Sequence, residues 1–211
     1  MNRRFQSHPF WGIQAPLSSL VGGCLLVTAS NCLAFALVVC GALLWVYGLS
    51  VLGLRFLSPW FPQRGEKLIL IFFTALLGNI YLLLLFLISP LLAMGTSLWI
   101  LLIPPCCFGS GVLSRFSALD PAEALIRALL EALALGGLII ALALIREPLG
   151  FAALSLPGRE GGIIEVFSAE KEGFFPVRII SVSAGAFLLL GYGVALFRHI
   201  GSQYVRFRES P

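Results

Sequence analysis

Cysteine is the residue type whose chemistry stands out most in this sequence. The 211 residues contain five cysteines and only two histidines. No histidine lies near a cysteine, and the cysteine spacing is not that of a structural zinc site. We predict that three of the thiols pack as small apolar side chains within helices, namely Cys32, Cys40 and Cys106.

Cys24 and Cys107 differ because each follows residues that weaken a helix. Gly22-Gly23 precedes Cys24, and Pro104-Pro105 precedes Cys106-Cys107. A break in a helix within a bilayer survives where it is buried in protein or lines a site; the alternative is ordinary glycine packing and a proline kink. Two thiolates that met at such breaks would supply half of the four ligands of an iron–sulfur cluster, and a partner chain would supply the rest.

The composition places these thiols in a membrane. The chain is 59% apolar and only 11% charged, which is too little charge for the surface of a soluble domain. No phosphate-binding loop, nucleophile–base pair or His-Glu metal motif is present. The net charge of +4 reflects the Lys and Arg residues that orient a membrane protein, so we predict no nucleic-acid partner.

Two long stretches without charge indicate pairs of membrane crossings. Residues 5–54 and 68–114 contain no Asp, Glu, Lys or Arg, and a spanning helix needs about 20 apolar residues. With the two shorter apolar stretches that follow, we predict an all-α membrane protein with six crossings, near 16–35, 37–56, 68–90, 97–114, 122–146 and 178–198.

Three crossings in each half predict an inverted repeat within a single transmembrane domain. The first repeat covers about 1–95 and the second about 96–211, and an odd number of crossings makes the second half enter the bilayer from the opposite side. The predicted interruptions fall in crossings one and four, which correspond to each other. Cys24 and Cys107 are therefore expected to meet near the middle of the membrane.

The distribution of Lys and Arg predicts the orientation. With the N-terminus in the cytoplasm, ten of these residues lie in inner segments, and both termini are then inside. The four in outer segments are Arg146, Arg159, Lys171 and Arg178.

The fifth crossing carries charges at its start and at its end. Asp120-Pro121 and Glu123 predict a capping box with proline at the first helical position. Arg127 and Glu131 continue the same face, either as a solvated stub with internal ion pairs or with Glu131 deep enough to meet an ion path. Pro148 is expected to stop the helix after an ion pair at the outer interface. The segment 151–177 is expected to be a long outer loop.

Four stretches resemble a known family, the Rnf/Nqr membrane subunits, most closely the RnfE/NqrD type. Two contain the selected cysteines: Leu20–Asn31 resembles the Gly-x-Cys region of the first helix, and Ile103–Gly111 resembles the Ile-Pro…Cys…Gly stretch of the fourth. The other two are Ile145–Gly150, which is similar to an Arg-Glu-x-Leu-Gly motif, and Ser183–Gly191. Leu25 and Pro105-Cys106 depart from the family pattern beside the two cysteines.

The resemblance implies a specific role. The chain would be a subunit of a Na⁺- or H⁺-translocating electron-transport complex in the bacterial inner membrane, and it would catalyse nothing alone. It would share one [2Fe–2S] cluster with a homologous six-helix, RnfA/NqrE-like subunit, through Cys24 and Cys107. Flavin-bearing and soluble electron-transfer subunits would be further partners. From the residues alone, a small solute or ion transporter and a non-redox structural subunit remain alternatives.

Overall fold

The computed structural model describes residues 20–57, 66–109, 120–158, 162–168, 180, 182, 184–192 and 195. In chain order they form helices α1 (Leu20–Ala29), α2 (Leu33–Leu57), α3 (Glu66–Ile88), α4 (Pro90–Gly109) and α5 (Pro121–Phe151), followed by strands β1 (Ala153–Pro157) and β2 (Ile163–Ser168). Residues 184–192 are also helical.

Four of these helices are long and apolar enough to cross a bilayer. The candidate spans within the described residues are Leu33–Leu54, Leu68–Ile88, Pro90–Phe108 and Pro121–Phe151. They correspond to predicted crossings two to five, so the protein is a mainly helical membrane protein. Predicted crossing six, 178–198, lies partly outside the described residues, and those described at 180, 184–192 and 195 are helical.

Helix α1 is described from Leu20 to Ala29, within the predicted first crossing at 16–35. The helix continues through Gly22-Gly23 and ends at Ala29, and the chain then turns at Ser30-Asn31. The predicted interruption at the glycines is therefore wrong: the helix breaks after Cys24, where the turn leads into α2. Residues 16–19 lie outside the described part of the chain.

Helix α4 is also continuous where an interruption was predicted. Pro104 and Pro105 both lie inside it, and the described helix runs to Gly109. The two prolines remove two backbone donors, and the described helix continues for one more turn after them. Pro104 also fits beside Gly78 of α3, where a Cβ would lie 3.6 Å from the proline Cγ. The predicted break in this helix is thus wrong as well.

The helices pack around α2. Along α2, Cys40 and Gly48 contact Gly136 and Leu129 of α5 in reverse order, so α2 and α5 are antiparallel. Tyr81 of α3 donates a hydrogen bond of 3.0 Å to the Val38 carbonyl.

This packing gives the bundle two distinct ends. The start of α2 lies with the end of α5, and we call this the Glu147 end. The other end, where α5 starts, is the Glu123 end.

Helices α3 and α4 are separated only by Ser89 and pack against each other as a hairpin. Helix α4 also packs against α2. Only 22% of the α3 span is buried, which leaves most of its apolar surface exposed to lipid.

The start of α5 follows only part of the predicted pattern. Asp120 occupies the N-cap position and Pro121 the first turn, as predicted, but the Asp120 side chain makes no capping hydrogen bond. Glu123 instead pairs with Arg127 at 2.5 Å, and both side chains are about half exposed. The predicted capping box is therefore wrong, because the glutamate is bonded one turn further along the helix.

The end of α5 also lies beyond the predicted one. Pro148 is inside the helix, which continues to Phe151. The next residue, Ala152, has a left-handed conformation (φ 51°) and donates its N–H to the Pro148 carbonyl. This is a common way for a helix to end. The helix can pass Pro148 because a proline removes only its own donor and leaves the later donors in place.

A β-hairpin follows directly, in the segment expected to be a loop. Strands β1 and β2 are antiparallel, with Leu156 opposite Ile164 and Pro157 opposite Ile163. An irregularity between Leu154 and Ser155 shifts the register. The all-α prediction is thus corrected by one small two-stranded sheet, which lies at the Glu147 end of the bundle.

Candidate functional site

A buried carboxylate binds the start of α2. Glu147 is 4% exposed, and its Oε2 accepts the Leu33 N–H at 2.7 Å. Leu33 is the first residue of α2, so this amide belongs to the first turn, whose donors have no partner within the helix. The positive end of the helix dipole also favours a negative charge there. Glu147 therefore stabilises the beginning of α2 from a neighbouring helix.

The adjacent guanidinium binds the end of α1. Arg146 is 3% exposed, and its NH1 donates to the Val27 carbonyl at 2.8 Å and to Ser30 Oγ at 3.4 Å. Val27 is in the last turn of α1, where carbonyls lack helical partners and a positive charge is favoured. Arg146 Nε donates to the Ile180 carbonyl at 3.0 Å. One side chain thus joins α1, α5 and the chain that follows the hairpin.

These contacts form one polar group, which we call the helix-end cluster: Ser30, Cys32, Arg146, Glu147 and Ser155. Cys32 Sγ lies 2.7 Å from Ser155 Oγ of β1, which ties the hairpin to the α1–α2 turn. The order of Arg146 and Glu147 places a positive group at a helix end and a negative group at a helix start. The cluster can therefore fix where α1 ends and α2 begins.

A second polar group lies near the Glu123 end of the bundle. Cys107 is completely buried, and the Ser50 side chain and the Glu131 carboxylate both lie close enough to interact with its thiol. Ser50 Oγ donates to the Tyr47 carbonyl at 3.0 Å. Glu131 is therefore not only part of a solvated stub: it is half-buried beside a buried thiol.

The structure places the two predicted cluster ligands in different surroundings. Cys24 is exposed on α1 and Cys107 is buried on α4, although the two helices pack against each other. Cys24 precedes by one turn the Val27 carbonyl that Arg146 binds. Cys107 meets Ser50, which lies 17 residues, or about 25 Å, beyond the start of α2.

The two sulfurs therefore lie at different levels of the bundle. Both ligands of one iron need their sulfurs close together, so the pairing of Cys24 with Cys107 stays a prediction about the assembled complex. Among the described residues, no group of three or more His, Cys, Asp or Glu side chains is arranged to hold a metal ion.

The remaining cysteines have packing or bonding roles in the described structure. Cys106 is fully buried in the core, as predicted for a packing residue. Cys40 lies against Gly136 at the α2–α5 contact, which also fits a packing role. Cys32 was given the same role, but it bonds to Ser155 and so belongs to the helix-end cluster.

Sequence reasoning identified the Arg146-Glu147 pair but placed it at the outer interface as an ion pair. In the structure both side chains are buried, and they bind backbone groups that lie more than 100 residues away. The signal that was present in the sequence is the pair of opposite charges at the end of an otherwise apolar helix. Comparison of the chain with family models and with curated proteins finds no match.

Proposed function

We propose that this chain is a multi-pass subunit of an ion-translocating electron-transport complex of the bacterial inner membrane. Four apolar helices support the membrane part of the proposal. The resemblance to the Rnf/Nqr subunits supports the rest. In this role the chain catalyses nothing alone, and the whole complex is the translocating oxidoreductase.

One observation carries the proposal. Two of the resembling stretches, Leu20–Asn31 and Ile145–Gly150, come together in the fold. They meet through the bonds from Arg146 to Val27 and Ser30. Segments that carry a family resemblance and also share buried charged contacts are expected to serve one structural purpose. Here that purpose is to position helix α1, which carries Cys24.

The finer parts of the proposal concern the fold and the assembly. They comprise six crossings in a 3+3 inverted repeat, a homologous six-helix partner, and flavin-bearing and soluble electron-transfer subunits. Cys24 is exposed on a helix that a partner chain can approach. A shared [2Fe–2S] centre would require Cys24 and Cys107 to come together in the assembled complex.

Iron content tests the redox role directly. The chain is expressed with its neighbouring membrane subunits, purified as the complex, and measured for iron and for its visible absorption spectrum. We expect iron in the native complex and its loss in Cys24→Ser and in Cys107→Ser. Cys40→Ser is the matched control, because Cys40 packs against Gly136, and it should keep the iron. Iron that persists in both test variants would remove the cluster from the proposal.

A second candidate is a membrane subunit without a redox centre, either structural or a small solute or ion transporter. It is favoured by the different surroundings of Cys24, which is exposed, and Cys107, which is buried. The same purification separates the two: a complex that assembles normally without iron indicates this second role.

We also propose that both termini face the cytoplasm, on the strength of the ten Lys and Arg residues that this orientation places inside. Single cysteines introduced at positions 165 and 205 should differ in their reaction with a membrane-impermeant thiol reagent added to intact cells. Position 165 should react and position 205 should react only after permeabilisation. The opposite pattern would reverse the orientation.

A further inference from the structure

The surface of α5 shows where the membrane ends. Glu123 and Arg127 are exposed near its start, and every exposed residue of α5 after Arg127 is uncharged and non-polar. From Arg127 to Phe151 the helix rises about 36 Å, slightly more than the roughly 30 Å of a hydrocarbon core. Ile145 and Phe151 are each 48% exposed. The lipid-facing surface of α5 therefore reaches its last residue.

The hairpin begins two residues later and exposes apolar side chains around its tip. Leu156 is 37% exposed, Ile163 38% and Ile164 54%, and Pro157 is exposed too. Leu156 and Pro157 pair with Ile164 and Ile163 across the two strands, so both faces near the tip are apolar. The polar Ser155, in contrast, is buried against Cys32. This is the reverse of the pattern of a hairpin in water.

We propose that this hairpin lies in the bilayer interface, with Leu156, Ile163 and Ile164 between the lipid headgroups and the outer ends of the acyl chains. Through Phe151, the apolar surface of the hairpin is continuous with the exposed apolar surface of α5. Helix α5 is a candidate membrane span, so its exposed surface faces lipid.

The location of the hairpin in the bilayer interface also affects the helix-end cluster. Ser155 connects the hairpin to Cys32 in the α1–α2 turn, and Arg146 and Glu147 hold the two sides of that turn. An anchored hairpin therefore fixes the level of the α1–α2 turn relative to the lipid surface. The location of the hairpin involves neither Cys24 nor Cys107 and is therefore independent of the proposed redox role.

A fluorescent amino acid incorporated at position 164 tests the location and leaves all five cysteines in place. The protein is placed in phosphatidylcholine nanodiscs, and quenching by a lipid that carries a nitroxide near its ester groups is compared with quenching by iodide in the water. Position 133 is the lipid standard, because Leu133 lies in the middle of α5 and is 52% exposed. Position 122 is the water standard, because Ala122 is exposed beside Glu123.

We expect the ratio of lipid quenching to iodide quenching at position 164 to be at least about three times that at position 122. The same probe at position 156 should agree, and it serves if the variant at position 164 does not fold. A ratio equal to that at position 122 would overturn the proposal. A probe that neither quencher reaches would also overturn it, because a partner protein or a second copy would then cover the hairpin.

Discussion

Replacement of Glu147 with alanine is expected to destabilise the protein by about 3 kcal/mol. The carboxylate is buried and accepts the Leu33 N–H at 2.7 Å. Alanine would leave this donor in the first turn of α2 without its partner, away from water. It would also leave the buried guanidinium of Arg146 in a cluster that had lost the negative charge of Glu147.

The midpoint of thermal unfolding in detergent micelles measures the effect. Glu147→Gln keeps an oxygen that can accept the Leu33 N–H, so it should lose less than half as much stability. Glu123→Ala is the matched control on the same helix. Its carboxylate pairs with Arg127 but is about half exposed, and exposed pairs contribute about 1 kcal/mol or less. Equal midpoints for Glu147→Ala and Glu123→Ala would show that the cluster does not hold the helix ends together.

The long helices could be predicted from the sequence because their evidence is local. When an apolar run lies in lipid, its backbone N–H and C=O groups must form hydrogen bonds with one another, and a helix allows this. Helices α3 and α5 therefore begin within about two residues of the predicted starts at 68 and 122. The turn at Ser30-Asn31 was missed because it lies inside a stretch without charge, where hydropathy does not change.

The helix-end cluster could be predicted only in part. Arg146 and Glu147 are visible in the sequence, but their partners are backbone groups of Val27 and Leu33, and any residue type supplies those. The pairing of Cys24 with Cys107 was predicted from matching positions in two halves. Matching positions place two side chains at equal depth only if the two halves fold alike, so this pairing stays a prediction.

Replacement of Gly136 with alanine is expected to cost about 2 kcal/mol, since extra volume in a well-packed contact forces neighbouring groups apart. An alanine methyl group would overlap Cys40 Sγ and would lie 3.2 Å from Cys40 Cβ and 3.5 Å from its Cα. The neighbour is a short side chain next to the backbone of α2, so it has little room to move. The two helices would have to separate at the contact that joins α2 to α5.

A double variant identifies the cause of this loss. Cys40→Ala removes the sulfur that the new methyl group would meet, so Gly136→Ala should cost much less in that background than in the native protein, with a coupling of about 1 kcal/mol or more in unfolding experiments. Gly137→Ala is the control: a Cβ there has no neighbour within 4 Å, and alanine favours a helix over glycine by about 1 kcal/mol. It should therefore be neutral or stabilising. If Gly137→Ala destabilised the protein as much as Gly136→Ala, the cost would come from glycine itself and not from close packing of α2 on α5.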